Sequence, residues 1–378
     1  METPPLGRLK HYLAGVTDNR QAWKVRHPLT SVLFIAVVGT IANGGSWEEI
    51  EQFGKGKESW FRQYVDLPWG APSHDTFERV FRWIDGKEFE RSFILWMREI
   101  CQDKELGIVA IDGKTMRGSG DKTTERSPLH IVSAWSSANN LVLGQVKTDE
   151  KSNEITAIPA LLDLLDVKGS IVTIDAMGTQ KEIAAKIIQK KADYVLNVKK
   201  NQPRLYEDIQ YFIEEESKSQ FNEVEHEYSR TLDKGHGRIE KREYYLFNEI
   251  EWLSWKKEWK NLGGFGMVRR QISDTKGNFL HEEQAYFITS LKSNVNNFAE
   301  AVRAHWGIEA MHWSLDVVLN EDRRTVRKDN GAQNLAVLKR MALNILRANA
   351  TEKKMTGPQK RFRACWDEDY MGSVLRDM

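Results

Sequence analysis

Two short apolar runs organise the middle of the chain. Ile108–Ile111 has no polar face, and Ile171–Ile174 is interrupted only by Thr173. Such runs suit strands buried on both sides of a sheet. Each run stops on an aspartate, Asp112 and Asp175. A carboxylate at the carboxyl end of a buried strand is where open α/β sheets place their chemistry. An aspartate there can also simply open a turn, but the repeat of the pattern favours a shared acidic site. Around these runs the pattern predicts strands at His130–Ser136, Leu141–Lys147 and Tyr194–Val198. Asn139-Asn140 sits between the first two as a hairpin turn. Helical spacing covers Glu154–Leu165 and Gln180–Lys191.

On either side the pattern changes. Residues 1 to about 105 read as short helices. Leu29–Ala42 is almost wholly apolar, Ser46 and Glu49 form a capping box, and Phe77, Val80, Phe81 and Ile84 mark one face of a third helix. Phe89–Ile100 makes a further amphipathic helix. Two readings of this region stay open, a small DNA-binding bundle or a structural cap. From 205 to 295 a helix at Leu205–Glu216 is followed by β-like segments at Lys241–Phe247, Gly266–Ser273 and Gln284–Ser290. Turns are expected at Asp233-Lys234-Gly235 and at 274–277. Residues 296–378 return to helix, at Phe298–Trp306 and Asn334–Asn349. The expected organisation is a helical N-terminal domain (1–105), the first part of a core (106–204), a β-rich insertion (205–295), and a C-terminal helical part (296–378). The order of strand, hairpin, helix, strand, helix, strand in the core resembles the mixed sheet of the ribonuclease-H-like α/β fold.

Composition adds little until it is localised. The 378 residues carry a net charge of +1, yet Arg323–Arg363 holds twelve basic residues against only Asp329 and Glu352. A local excess of that size points to a polyanion. Two cysteines, Cys101 and Cys365, are too few for a disulfide framework or a thiolate metal site. The N-terminus lacks a signal-peptide pattern, and the apolar run Val32–Val38 is too short to cross a bilayer. A soluble, cytoplasmic protein with no membrane partner is expected.

Two strand-end aspartates call for a third carboxylate, because two or three such groups can hold divalent cations that activate a nucleophile at a phosphodiester. Glu309, in Arg303–Asp316, is the leading candidate; Asp316, Glu321 and Asp322 are its rivals. Trp306 and Trp313, seven apart, read mainly as packing residues, with base stacking as the alternative.

Six ordered segments carry a resemblance: Ile111–Arg117, Lys147–Pro159, Asp175–Gln180, Lys199–Gln202, His236–Glu240 and His305–Glu309. Together they resemble the H-repeat-associated DDE transposases of bacterial insertion sequences, from Arg20 to Leu346. The resemblance implies a ribonuclease-H-like catalytic core and a catalytic, metal-binding trio of Asp112, Asp175 and Glu309. It further implies Mg2+ or Mn2+ as cofactor, and two-metal-ion cleavage and joining at the ends of a mobile element. The implied partners are double-stranded DNA, as terminal inverted repeats and target, and a second copy in a homodimeric active complex associated with the nucleoid. One departure stands out. The wider group places Arg four residues before the glutamate and Lys seven after, and this chain has His305 and Asp316 there.

The residues expected at the DNA surface are Lys114 and Arg117 after the first aspartate, and Lys199, Lys200, Asn201 and Gln202 at a strand end. His236 and Arg238 in the insertion, Arg303 and His305 before Glu309, and Arg323, Arg324 and Arg327 in the basic stretch join them. Each is equally readable as a solvated surface residue. The competing functions are a metal-dependent nuclease of the same fold without strand transfer, and an inactive DNA-binding relic.

Overall fold

The computed structural model describes residues 5–121, 123, 125, 127–148, 154–235, 237–349, 352 and 354–376. The chain divides into two compact units: Glu105–Asp112 with Glu154–Gly307, and Met1–Lys104 with Gly113–Asn153 and Ile308–Met378. Two of the four boundaries fall inside elements, within the first strand and within the helix Val295–Trp313.

The strands are β1 (Ile108–Met116), β2 (Leu129–Ser136), β3 (Leu141–Lys147), β4 (Ile171–Ile174), β5 (Asp193–Val198), β6 (Glu227–Gly235), β7 (Arg238–Phe247), β8 (Gly264–Asp274) and β9 (Phe279–Thr289). In the 105–112/154–307 unit they follow the order β1-β4-β5-β9-β8-β7-β6. β1, β4 and β5 run parallel, and β9 joins β5 antiparallel through Val195↔Thr289 to Val198↔Tyr286. Ile108, Val195, Tyr244, Leu246, Val268 and Phe287 build a core against Val295, Phe298 and Ala301 of the helix Val295–Trp313. The close approach needs Gly266, where an added Cβ would lie 2.4 Å from the Phe298 ring.

The strands expected from the apolar runs are present, but β1 continues five residues past Ile111. The turn expected at Asp233-Lys234-Gly235 is instead the end of β6, which pairs with β7 through Gly235↔Arg238. β6 escapes the hydrophobic pattern because it is an edge strand, Glu227–Gly235, with almost no apolar residues to alternate.

In the other unit β2 and β3 form the expected hairpin, beside β1 in the order β3-β2-β1. The helix Leu29–Ile41 is buried at every position but Thr30. That explains its lack of an amphipathic pattern, since a helix apolar all round is a core helix. It packs against Gly331–Ala348, itself buried from Gly331 to Leu346. Each large apolar side chain buried there contributes about 1.5–3 kcal/mol. The capping box forms as expected: the Ser46 hydroxyl accepts from the Glu49 N–H (3.2 Å), and the Glu49 carboxylate accepts from the Ser46 N–H (3.0 Å).

Candidate active site

Register brings the two aspartates side by side. β1 and β4 pair in parallel with Ile111 opposite Ile174, so Asp112 and Asp175 each follow the last paired residue of neighbouring strands. Adjacent strands lie about 4.8 Å apart. Behind Asp175 the chain turns through Ala176–Gly178, and the carboxylate accepts the N–H groups of Met177 (3.0 Å) and Gly178 (3.3 Å). Position 178 must be glycine, because a Cβ would meet Ile174 at 2.3 Å. Burial pushes the Asp175 carboxyl above its ordinary value and nearby Glu154 adds to this; the two N–H groups and Lys199 oppose it.

Asn201, exposed, and Gln202, half-buried, both expected at the DNA surface, also brace this turn. The Asn201 amide donates to the Ala176 carbonyl (2.5 Å) and the Gln202 amide to that of Thr179 (2.9 Å). Lys199 and Lys200 are exposed. Lys199 lines a groove of about 520 Å³ with Asn197, Arg242, Arg270, Arg303 and Trp306. Arg303 pairs with Asp233, as does Arg242, and Arg270 pairs with Glu240 and Glu283. The sequence reading missed Arg242 and Arg270. They stand opposite each other on β7 and β8, a relation visible only once register is known. Trp306 and Trp313, read as packing residues, are 56% and 60% exposed.

Glu309 belongs to the helix Val295–Trp313 and is exposed. One turn earlier, His305 Nδ1 meets the Thr173 hydroxyl at 2.9 Å. Burial pushes His305 down to about 4, so near neutral pH it is an uncharged imidazole. It anchors the helix to β4 two residues before Asp175, and is not a cation for phosphate.

The rivals of Glu309 are engaged elsewhere. Lys114 is 9% exposed, and its ammonium meets Asp316 (2.7 Å), Glu321 (3.0 Å) and Asp322 (3.1 Å). Arg340, fully buried, meets the other oxygen of Glu321 at 2.8 Å. Burial pushes the Glu321 carboxyl up, but Arg340, Lys114 and Lys339 outweigh it and hold it at about 2. Lys114, expected to touch phosphate, thus has its donors taken up by carboxylates.

The basic stretch is corrected in the same way. Lys339, Arg340, Lys360 and Arg361 are buried, bound to main-chain carbonyls or, for Arg340, to Glu321 as well. Arg347 lies over the Trp135 ring and Arg363 pairs with Glu352 and Asp367. Arg324 lies over Trp47, donates to the Gly45 carbonyl, and is lowered to about 10 by burial. Arg327 pairs with Asp121 at 3.0 Å. Arg323, Arg117 and Arg238 remain exposed. His236 lies outside the described residues, as do positions 149–153 of the Lys147–Pro159 segment.

The donor chemistry of Asp112 and Asp175, carboxylate oxygen without thiolate, fits a hard divalent cation. Among the described residues no three His, Cys, Asp or Glu side chains form a ready-made ligand set, and no helix is long and apolar enough to cross a membrane.

Comparison with known proteins gives a consistent result. Residues 103–345 match the family described as transposase DDE domain, and residues 10–97 the one described as DDE_Tnp_1-associated. "Putative transposase YncI" of Escherichia coli O157:H7 is 41% identical over 372 residues, 97% of this chain and 94% of its own. "H repeat-associated putative transposase YhhI" of Escherichia coli K12 is 38% identical over 98% of both chains. A solved piggyBac transposase synaptic complex with hairpin DNA aligns over 99% of this chain and 81% of its own, at 10% identity and a TM-score of 0.45. The likeness to H-repeat-associated transposases read from the six motifs is borne out.

Proposed function

The chain belongs to the transposase DDE-domain family, and on that footing we propose that it is the DNA transposase of an insertion-sequence-type element. In this reading it cleaves the element's ends and joins them to target DNA at a site formed by Asp112, Asp175 and Glu309. The observation that carries it is the register of β1 and β4, which sets Asp112, inside β1, beside Asp175 at the end of β4. Support for Glu309 comes from His305, whose bond to Thr173 fixes the helix one turn before Glu309. The hairpin β2–β3 beside β1, with β1, β4 and β5 parallel, supports a ribonuclease-H-like core.

Magnesium or manganese held by the trio would supply a Lewis acid for the attacking and leaving oxygens of a phosphodiester. The chain's own part is to position. The three carboxylates define where positive charge is tolerated, and the Met177 and Gly178 N–H groups fix the Asp175 carboxylate. Asn201 and Gln202 keep that turn from shifting. Lys199 and Lys200 of one unit, and Arg117 and Arg323 of the other, hold the DNA backbone. Water attacks phosphorus at the element end and the 3′-oxygen leaves as a hydroxyl; that hydroxyl then attacks a target phosphodiester, forming one P–O bond as the target strand's own 3′-oxygen leaves and takes up the proton. The active complex is a homodimer on double-stranded DNA in the cytoplasm.

The test is a cleavage and strand-transfer assay on a duplex carrying the element's flanking ends, with and without magnesium. Magnesium-dependent nicking followed by joined product is expected. Nicking without joining would reduce the protein to a nuclease, and DNA binding without nicking to a relic.

A further inference from the structure

The unit 105–112/154–307 carries a further groove, of about 490 Å³, that takes no part in the chemistry above. It is lined by the helix Pro203–Glu216, by residues 223–225 and by the end of β7 with the loop that follows. Its apolar part is Tyr211, Phe212, Phe247 and Trp252. The Phe212 and Trp252 rings stack at 5.2 Å, and Phe247 stands edge-on to Phe212 at 5.3 Å. The Trp252 indole N–H donates to the Glu249 carbonyl at 3.0 Å. The aromatic surface is thus fixed in advance, yet Tyr211 and Trp252 are 67% and 53% exposed. Glu215, Glu216, Glu223, Glu225 and Glu249 complete the lining, and no basic residue joins them. Among the described residues only Glu215 of these five has a cation paired with it, Lys218 at 2.6 Å. An aromatic surface ringed by carboxylates repels a polyanion. It suits an aromatic anchor with basic neighbours.

The chain supplies such an anchor in its other unit. Residues 19–47 hold Arg20, Lys24 and Arg26 and no acid. Within them the short turn Ala22–Lys24 has no buried residue. Trp23, at its centre, is 80% exposed, more than any other large hydrophobic side chain described. The Lys24 ammonium lies over the Trp23 ring at 4.5 Å. Lys24 and Arg26 are exposed, whereas Arg20 is held by Asp18 at 2.7 Å. An indole this exposed has no packing role within its own chain, and tryptophan is the residue type most enriched among interface anchors.

We propose that the acidic aromatic groove is a docking site for a second copy of this chain, which seats Trp23 against Phe212 and Trp252 and sets Lys24 and Arg26 against the glutamates. Charge decides for that occupant. The groove has five carboxylates and no base, and the segment has three bases and no acid. The contact involves none of Asp112, Asp175 and Glu309, so it stands or falls apart from the chemistry proposed above.

The experiment is sedimentation equilibrium of the full chain in low and high salt, with circular dichroism to report folding. It compares the parent with Trp23→Ala, with Trp252→Ala and with a double variant, Glu223→Lys and Glu225→Lys. The parent should self-associate, more weakly in high salt because the paired charges are exposed ones. Truncating a tryptophan anchor costs about 30-fold or more in affinity, so Trp23→Ala and Trp252→Ala should each weaken association by that much. A 1:1 mixture of these two variants should associate more tightly than either alone, because the Trp23 of one copy then meets the intact groove of the other. The double variant should weaken association most in low salt, and it replaces Trp252→Ala in the mixture if that variant does not fold. A parent that stays monomeric up to its solubility would overturn the proposal and leave the groove to a different basic partner. Association untouched by Trp23→Ala would overturn it as well. So would a mixture no tighter than its components, which would mean that the two surfaces do not meet each other.

Discussion

Two groups of carboxylates in this chain look alike on paper and differ in what surrounds them. Asp316, Glu321 and Asp322 share the Lys114 ammonium, and Glu321 has Arg340 as well. Asp175 is held by two backbone N–H groups, and burial with Glu154 pushes its carboxyl up. The first group has its cations built in beside it, although burial still pushes the Asp316 carboxyl up. At Asp175 burial is the main influence, opposed by two N–H groups and Lys199, and in the proposed reading a metal ion adds further positive charge. Built-in neutralisation is thus a way to sort structural acids from chemical ones.

The largest effect that could break this contrast is on chemistry. Asp112→Asn and Asp175→Asn should each lower nicking by about three orders of magnitude or more, with duplex affinity in a gel-shift titration close to the parent's. Retained nicking in either variant would place the chemistry elsewhere. Next comes stability. Arg340→Met leaves Glu321 buried beside Lys114 alone, and breaking a buried pair costs about 3–5 kcal/mol. Urea unfolding should show that loss for Arg340→Met and none of comparable size for Glu309→Gln. Equal losses would erase the distinction between the two groups.

A smaller effect separates exposed from buried arginines. Each phosphate contact adds about −0.9 to the slope of log K against log salt. Arg117→Gln and Arg323→Gln should each flatten that slope by up to about 0.9, whereas Arg324→Met, already committed to Trp47 and the Gly45 carbonyl, should leave it unchanged. A full-sized change at Arg324 would mean that it leaves Trp47 to bind DNA. The smallest concerns pH. His305 is depressed to about 4 in the folded chain, against roughly 6.5 unfolded. Between those values the unfolded chain holds the extra proton, so this contribution to stability is complete above about 6.5 and fades as pH falls towards 4. His305→Gln should flatten the decline measured by urea unfolding at several pH values, leaving the part due to His312, which burial pushes down to about 3. An unaltered decline would remove His305 from the explanation.

The strands that carry Asp112 and Asp175 were legible because they are buried on both faces and read as apolar runs. The capping box at Ser46 was legible because its partners are three residues apart. What was not legible is set by packing between distant segments. Lys114 finds its carboxylates about two hundred residues later. Charge counting over 323–363 pointed outward because it cannot see that Gly331–Ala348 is buried on nearly every face. β6 was missed because a polar edge strand has no hydrophobic alternation to show. The bracing role of Asn201 and Gln202 was not legible, since nothing local reveals the turn they hold.

The most direct measurement of the central claim sets Glu309→Gln beside Asp316→Asn in one assay. Both variants remove a single negative charge, seven residues apart. Binding to element-end duplex is measured by gel shift in calcium, and nicking of the same duplex in magnesium. The expected result is parent-like binding for both, background nicking for Glu309→Gln, and retained nicking for Asp316→Asn. Nicking at the parent rate by Glu309→Gln, with Asp316→Asn inert, would contradict the assignment of the third acid and the rule that separates the two groups.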